Sequence, residues 1–115
     1  MKQFVDPPAI YLYRDKVDFR KSINGLVLIV EQELGHSAFD PALFLFCNKN
    51  RDKMKALYWD KTGFVLWYKR LEKHKFKWPR RIEAQELQLN EQQLKWLLEG
   101  FDVLGHKPLT YQLTR

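Results

Sequence analysis

The sequence has one cysteine, Cys47, so no disulfide can form within the chain. Its place at the end of the apolar run "LFLFC" reads as a small buried hydrophobe, and no acidic or basic neighbour is there to activate the thiol. Histidine is scarce as well. His36, His74 and His106 stand far apart with no second ligand three or four residues away, so nothing points to a metal site. A glycine-rich phosphate loop and a Ser-His-Asp motif are both missing. The acids Asp15, Asp18, Asp40, Asp52 and Asp60 are scattered, several at turn or cap positions, whereas a nuclease needs two or three converging on Mg²⁺. The expectation is a protein with no catalytic residues, no metal and no cofactor. No apolar run approaches the roughly 20 residues that cross a bilayer. The opening "MKQFVDPPAIYLY" lacks the apolar centre and small-residue cleavage site of a signal peptide, so a cytoplasmic protein without a membrane partner is predicted.

At 115 residues, with 45% apolar side chains, the chain fits one domain around one modest core. Residues 1–115 are taken as that single domain, with an ordered core over about 9–104 and loose termini. The net charge of +6 is unevenly spread. Residues 1–48 carry five basic and six acidic side chains, residues 49–81 carry twelve and three, and residues 82–115 carry three and five. The central block therefore supplies the whole excess. It also holds Tyr58, Trp59, Phe64, Trp67, Tyr68, Phe76 and Trp78, and cations interleaved with aromatics suit a polyanionic partner.

Pro7 and Pro8 hold the opening extended, and "AIYLY" reads as a short strand. Asp18 is placed to N-cap a long helix over about residues 19–34. Phe19, Ile23, Leu26, Val27, Val30 and Leu34 recur there at helical spacing, and Gly35 is the stop. A turn at Asp40-Pro41 leads into a strand over about 43–47. "MKALYWDKTGFVLWYKRL" reads as a hairpin around "DKTG", with Gly63 taking a positive φ. Counting outward through a three-residue loop pairs Trp59 with Val65 and Leu57 with Trp67. These four then share the face against the helix, and Tyr58, Leu66 and Tyr68 face the other way. In "KHKFKW", Lys73, Lys75 and Lys77 alternate with His74, Phe76 and Trp78, which implies an amphipathic strand or arm ended by Pro79. "AQELQL" is a further candidate strand. Asn90 with Gln93 forms a capping box before a short helix whose apolar side is Leu94, Leu97, Leu98 and Phe101 and which stops near Gly100. The predicted class is α+β: a mostly antiparallel, twisted sheet, one long helix packed on it and a short C-terminal helix.

Alternate lysines on a strand lie about 6.6 Å apart, and phosphates of one DNA strand advance about 3.4 Å per step. Lys73, Lys75 and Lys77 thus match every second phosphate. Lys69, Arg70, Arg80 and Arg81 add further cations, and Trp78, with Tyr58 and Tyr68, offers a ring for stacking on a base. The plainer readings are that such lysines guard a strand edge against aggregation and that the aromatic rings are core. Confinement of the charge to one aromatic-studded block favours DNA.

The segments "DFRKSINGL", "LFLFCNKNRDKMKALYWDKTGFVLWYKRLEKHKFKWP" and "LNEQQLKWLLEGFD", in this order, resemble the TnpB, or Orf2, accessory proteins of the insertion-sequence-66 family of bacterial transposable elements. These are unrelated to the RNA-guided nuclease of the same name. The resemblance spans about residues 10–102. It is carried by Asp18, Arg20, Lys21, Gly25, Leu26, Lys55, Tyr58, Trp59, Gly63, Lys69, Arg70, Leu71, Phe76, Trp78 and Pro79. It implies a role in transposition beside a DDE-type transposase, the catalytic partner, and a second accessory protein of the same element. His74 stands where the family often has glycine, which favours a continuous strand, and Asn24 stands where aspartate is common. The function expected is non-catalytic: DNA binding through the basic block in support of transposase assembly. The alternative is an adaptor that contacts the transposase or the other accessory protein without touching DNA.

Overall fold

A computed structural model describes residues 9–104. Pro7-Pro8, Gly105, His106 and Pro108 lie outside the described residues. Five strands, β1 (Ile10–Tyr13), β2 (Leu43–Cys47), β3 (Lys53–Asp60), β4 (Gly63–Arg70) and β5 (Glu86–Leu89), form one sheet in the order β4-β3-β2-β1-β5. Only β1 and β2 run parallel; the other neighbours are antiparallel. The parallel pair needs a crossover, and helix α1 (Ile23–Leu28) supplies it, continued by a π-wound stretch over Ile29–Glu33. Helix α2 (Glu91–Leu98) follows β5. The fold is α+β with a mostly antiparallel sheet, as expected.

Each face of the sheet carries its own core. Tyr13, Phe44, Phe46 and Leu57 meet Leu26 and Val30 of the α1 segment on one side. Ile10, Leu12, Leu43, Leu45, Cys47, Met54 and Ala56 meet Leu94 and Leu97 of α2 on the other, together with Phe76 and Trp78. β2 lies in the middle and is buried on both faces, which is why "LFLFC" is apolar without alternation.

Local signals decided the boundaries unevenly. Asn90 and Gln93 make the capping box in both directions, at 2.7 and 2.9 Å. Gly35 has φ 71° just past the α1 segment, so the stop there is a left-handed cap. The long helix over 19–34 is not formed. The helical segment spans 11 residues, Ser22 is the N-cap, and Asp18 is instead bound to the Arg20 amide and guanidinium. An apolar period of three to four was present from Phe19 on, but Lys55 Nζ, donating to the carbonyls of Phe19 and Lys21 at 2.9 Å each, holds those residues in a turn.

The hairpin exists, but its register differs by one residue. Asp60 pairs with Gly63, leaving a two-residue loop, Lys61-Thr62, so Trp59 faces Phe64, Tyr58 faces Val65 and Ala56 faces Trp67. Leu57, Trp59, Phe64, Leu66 and Tyr68 therefore share the α1 face, and Val65 and Trp67 point to the α2 face with Tyr58. Gly63 does not carry the positive φ; Lys61 does, at 50°. The loop closes by a tight bond from the Thr62 amide to the Asp60 carbonyl, and its two residues are one fewer than the bulged loop expected.

Candidate nucleic-acid interface

Period-2 alternation along β3 sends Met54, Ala56 and Tyr58 to the α2 face and Lys53 and Lys55 to the α1 face. α1 begins only at Ile23 and leaves that end of the sheet open. The segment after β1 and the loop after β2 rise beside it, tied together by the Val17 amide bonding the Cys47 carbonyl at 2.9 Å. Between them lies a groove of about 850 Å³ whose cations are Lys16, Arg20, Lys49, Lys53 and Lys55, with Tyr68 and Phe19 supplying rings. The one acid in its wall, Asp18, is held by Arg20 at 2.6 Å. That contact lowers the Asp18 carboxyl to about 2, first through the Arg20 side-chain hydrogen bond and then through the Arg20 backbone amide.

Lys55 sits 4.7 Å above the Phe19 ring, and burial pushes its ammonium below the ordinary lysine range. It is chiefly a strut for the 18–22 turn. The loop wall is braced too: the Asn48 carboxamide oxygen accepts from the Asp52 and Lys53 amides at 3.1 Å, and its nitrogen donates to Asp52 at 2.6 Å.

The eight residues expected to bind DNA fall into two sets. Arg70, Lys73, Lys75, Lys77 and Arg81 are exposed. Arg70 is paired with Glu72 at 2.7 Å, and Lys75 Nζ donates to the Asn50 carbonyl at 3.0 Å, which anchors this stretch to the loop at the groove's edge. The other three are occupied inside the fold. Lys69 reaches the Leu98 carbonyl at the C-terminal end of α2, at 3.1 Å, where a cation meets the negative end of the helix. Arg80 donates to the Asn48 and Lys49 carbonyls at 2.5 and 3.3 Å, so it clamps the loop. Trp78 is 5% exposed and its indole N–H donates to the Tyr13 carbonyl at 2.8 Å. Its ring is core and is not presented to a base. Tyr58 is half-buried against the same core.

Residues 71–85 form no strand either, although the alternation survives from Lys75 to Trp78, with the lysines out and the rings in. The Phe76 amide bonds the Arg51 carbonyl, a loop rather than a neighbouring strand, so no ladder propagates. Cys47 is buried and its thiol is pushed up to about 12 by desolvation, consistent with a packing role. Sequence reading missed Lys16, Lys49 and Lys53 as a group. The signal available was the alternation of "KMKAL", which puts Lys53 and Lys55 on one face, together with the shared motif status of Arg20 and Lys55.

No group of three potential metal ligands occurs among the described residues, and no described helix is long and apolar enough to cross a membrane. The family model described as "IS66 Orf2 like protein" matches residues 8–108. Two curated proteins of Sinorhizobium fredii (strain NBRC 101917 / NGR234) are similar. "Uncharacterized protein y4jC" is 34% identical over 75% of this chain and 73% of its own length. "Uncharacterized protein y4hO" is 29% identical over 81% and 80%. No solved structure matches.

Proposed function

The chain belongs to the family of IS66 Orf2-like proteins, and from that premise we propose that it is a non-catalytic accessory protein of transposition that grips DNA by its phosphates and supports assembly of the transposase complex. The observation that carries this reading is the groove: five cations from three chain segments line one concavity with a single acid, Asp18, and once Arg20 has offset that acid the four lysines leave the lining positive. Lys73, Lys75 and Lys77 extend the positive surface past Asn50, and Arg81 adds to it nearby in the chain. Lysine and arginine that meet phosphates release bound counterions, so affinity falls with salt. The work is that of a holder. The reacting groups belong to the transposase of the element, the partner that the family resemblance implies.

The test is a mobility-shift titration on duplex DNA, element-end against random sequence, over a range of salt. If about four to six cations neutralise phosphates, log K falls with log[salt] at a slope of roughly −3.5 to −5.5. Lys73→Ala, Lys75→Ala and Lys77→Ala together flatten that slope by about three contacts' worth and weaken binding while the melting curve stays put, since exposed side chains contribute little to stability. A slope near zero, or no binding at low salt, refutes the reading.

One observation favours a protein-contact adaptor as the second reading. Phe39 is 57% exposed and stands 4.8 Å from Trp59 and 5.5 Å from Phe64, an aromatic patch at the turn end of the hairpin. Under this reading Phe39→Ser abolishes co-purification with the transposase or the second accessory protein and leaves DNA binding untouched.

A further inference from the structure

Tyr68 is 52% exposed in a groove that it lines together with Phe19, Val17, five cations and the polar Asn48 and Asn50. Its position is well defined. On β4 it is paired directly across from Lys55, and Phe19 approaches it edge-on with the ring centroids 6.3 Å apart. Lys53 lies on the same face one alternation along β3, about 6.6 Å from Lys55, and Lys16, Arg20 and Lys49 complete the rim. Asn50 brings an exposed amide, which offers both a donor and an acceptor edge. A flat ring surrounded by positive charge serves a ligand that has a π-face and an anionic group on each side of it. A duplex does not offer this. Its bases are stacked on one another and their faces are inaccessible, and only an unpaired nucleotide can lay one against a side chain. The size agrees: about 850 Å³ is within the scale of a small-ligand site.

We propose that the groove seats an unpaired nucleotide of single-stranded DNA, its base stacked on Tyr68 and its flanking phosphates on Lys53 and on Lys16 or Lys49. The inference rests on the DNA-binding reading above and narrows it, because it assigns the groove to single strands and leaves duplex phosphates to Lys73, Lys75, Lys77 and Arg81. Strands of this kind arise wherever an element end is nicked, frayed or opened.

The experiment measures binding of the full chain to a labelled single strand, to the duplex of the same sequence and to a mononucleotide, for wild type, Tyr68→Ala and Tyr68→Phe. The single strand is expected to bind more tightly than the duplex. Tyr68→Ala should weaken single-strand binding by about ten- to hundredfold, the range for loss of one base–aromatic stack. Duplex binding stays as in wild type, and Tyr68→Phe, which keeps the ring, retains single-strand binding. Equal loss on both DNA forms, or no loss on either, overturns the stacking site while leaving the DNA-binding reading in place. A mononucleotide that binds as tightly as the strand overturns the assignment to a polymer. Absence of binding to every nucleic acid refutes the broader reading itself, so the two failures are distinct. Circular dichroism melts of all three proteins establish that any loss occurs in the folded state.

Discussion

Trp78 discriminates between a binding residue and a core residue more sharply than any other position. It lies in a run of exposed lysines, yet its ring is packed in the core with Ile10, Leu12, Met54 and Leu97 and its N–H is bonded to the Tyr13 carbonyl at 2.8 Å. Trp78→Ala removes about 3–5 kcal/mol of packing. The Tyr13 carbonyl loses a buried donor, which adds about 1 kcal/mol. A total of about 4–6 kcal/mol compares with about 5–15 kcal/mol for the stability of a domain of this kind. With a urea dependence of about 2 kcal/mol per molar, the midpoint of a urea melt moves down by about 2–3 M. Trp78→Phe keeps most of the apolar bulk and removes the N–H, so its loss is about 1–3 kcal/mol. Lys77→Ala, one residue away and exposed, changes stability by less than about 0.5 kcal/mol. The assay is a urea melt followed by circular dichroism, with DNA affinity measured where each protein is folded. If Trp78→Ala leaves the midpoint within a few tenths of a molar of wild type and abolishes DNA binding, the ring is at the surface and the packing argument is wrong.

Two other positions test local geometry. Lys61 holds φ 50° at the hairpin turn while a Cβ added at Gly63 meets nothing within 4 Å. Lys61→Val should therefore cost about 1–2 kcal/mol and Gly63→Val less than about 0.5 kcal/mol in thermal melts; the opposite order would move the turn back onto the glycine. Asp18, lowered from 3.8 to about 2 by Arg20, should titrate near that value by NMR and return toward 3.8 in Arg20→Ala. Because its folded value is depressed, its contribution is fully present above pH 4 and is lost as pH falls through about 2. A midpoint near 3.8 in wild type would show that the Asp18–Arg20 pair does not form.

What the sequence determined by itself was whatever depends on neighbours in the chain. The strand of residues 43–47, the capping box of Asn90 and Gln93, the stop at Gly35 and the existence of the hairpin all follow from side-chain type and short-range spacing, and all are formed. The segments that resemble insertion-sequence-66 accessory proteins were legible for the same reason, since a family resemblance is a pattern along the chain. Tertiary structure decided what depends on which segments meet. The register of the hairpin turned on one residue of loop length, and because side chains alternate at a period of two, that single residue sent Val65 and Trp67 to the face opposite the one expected. The helix lost its first turn because Lys55, more than thirty residues away, captures the carbonyls of Phe19 and Lys21. The basic run 69–81 looked like one surface, but a segment without a ladder is free to turn inward wherever a core or a carbonyl will take a side chain. Trp78, Arg80 and Lys69 went to the Tyr13 carbonyl, the 48–49 loop and the end of α2, respectively. The groove was assembled instead from Lys16, Arg20, Lys49, Lys53 and Tyr68, because β1 and β2 end side by side and present their following loops to the open end of β3 and β4. Charge can be counted along a chain, but its concentration at one place is a property of the fold.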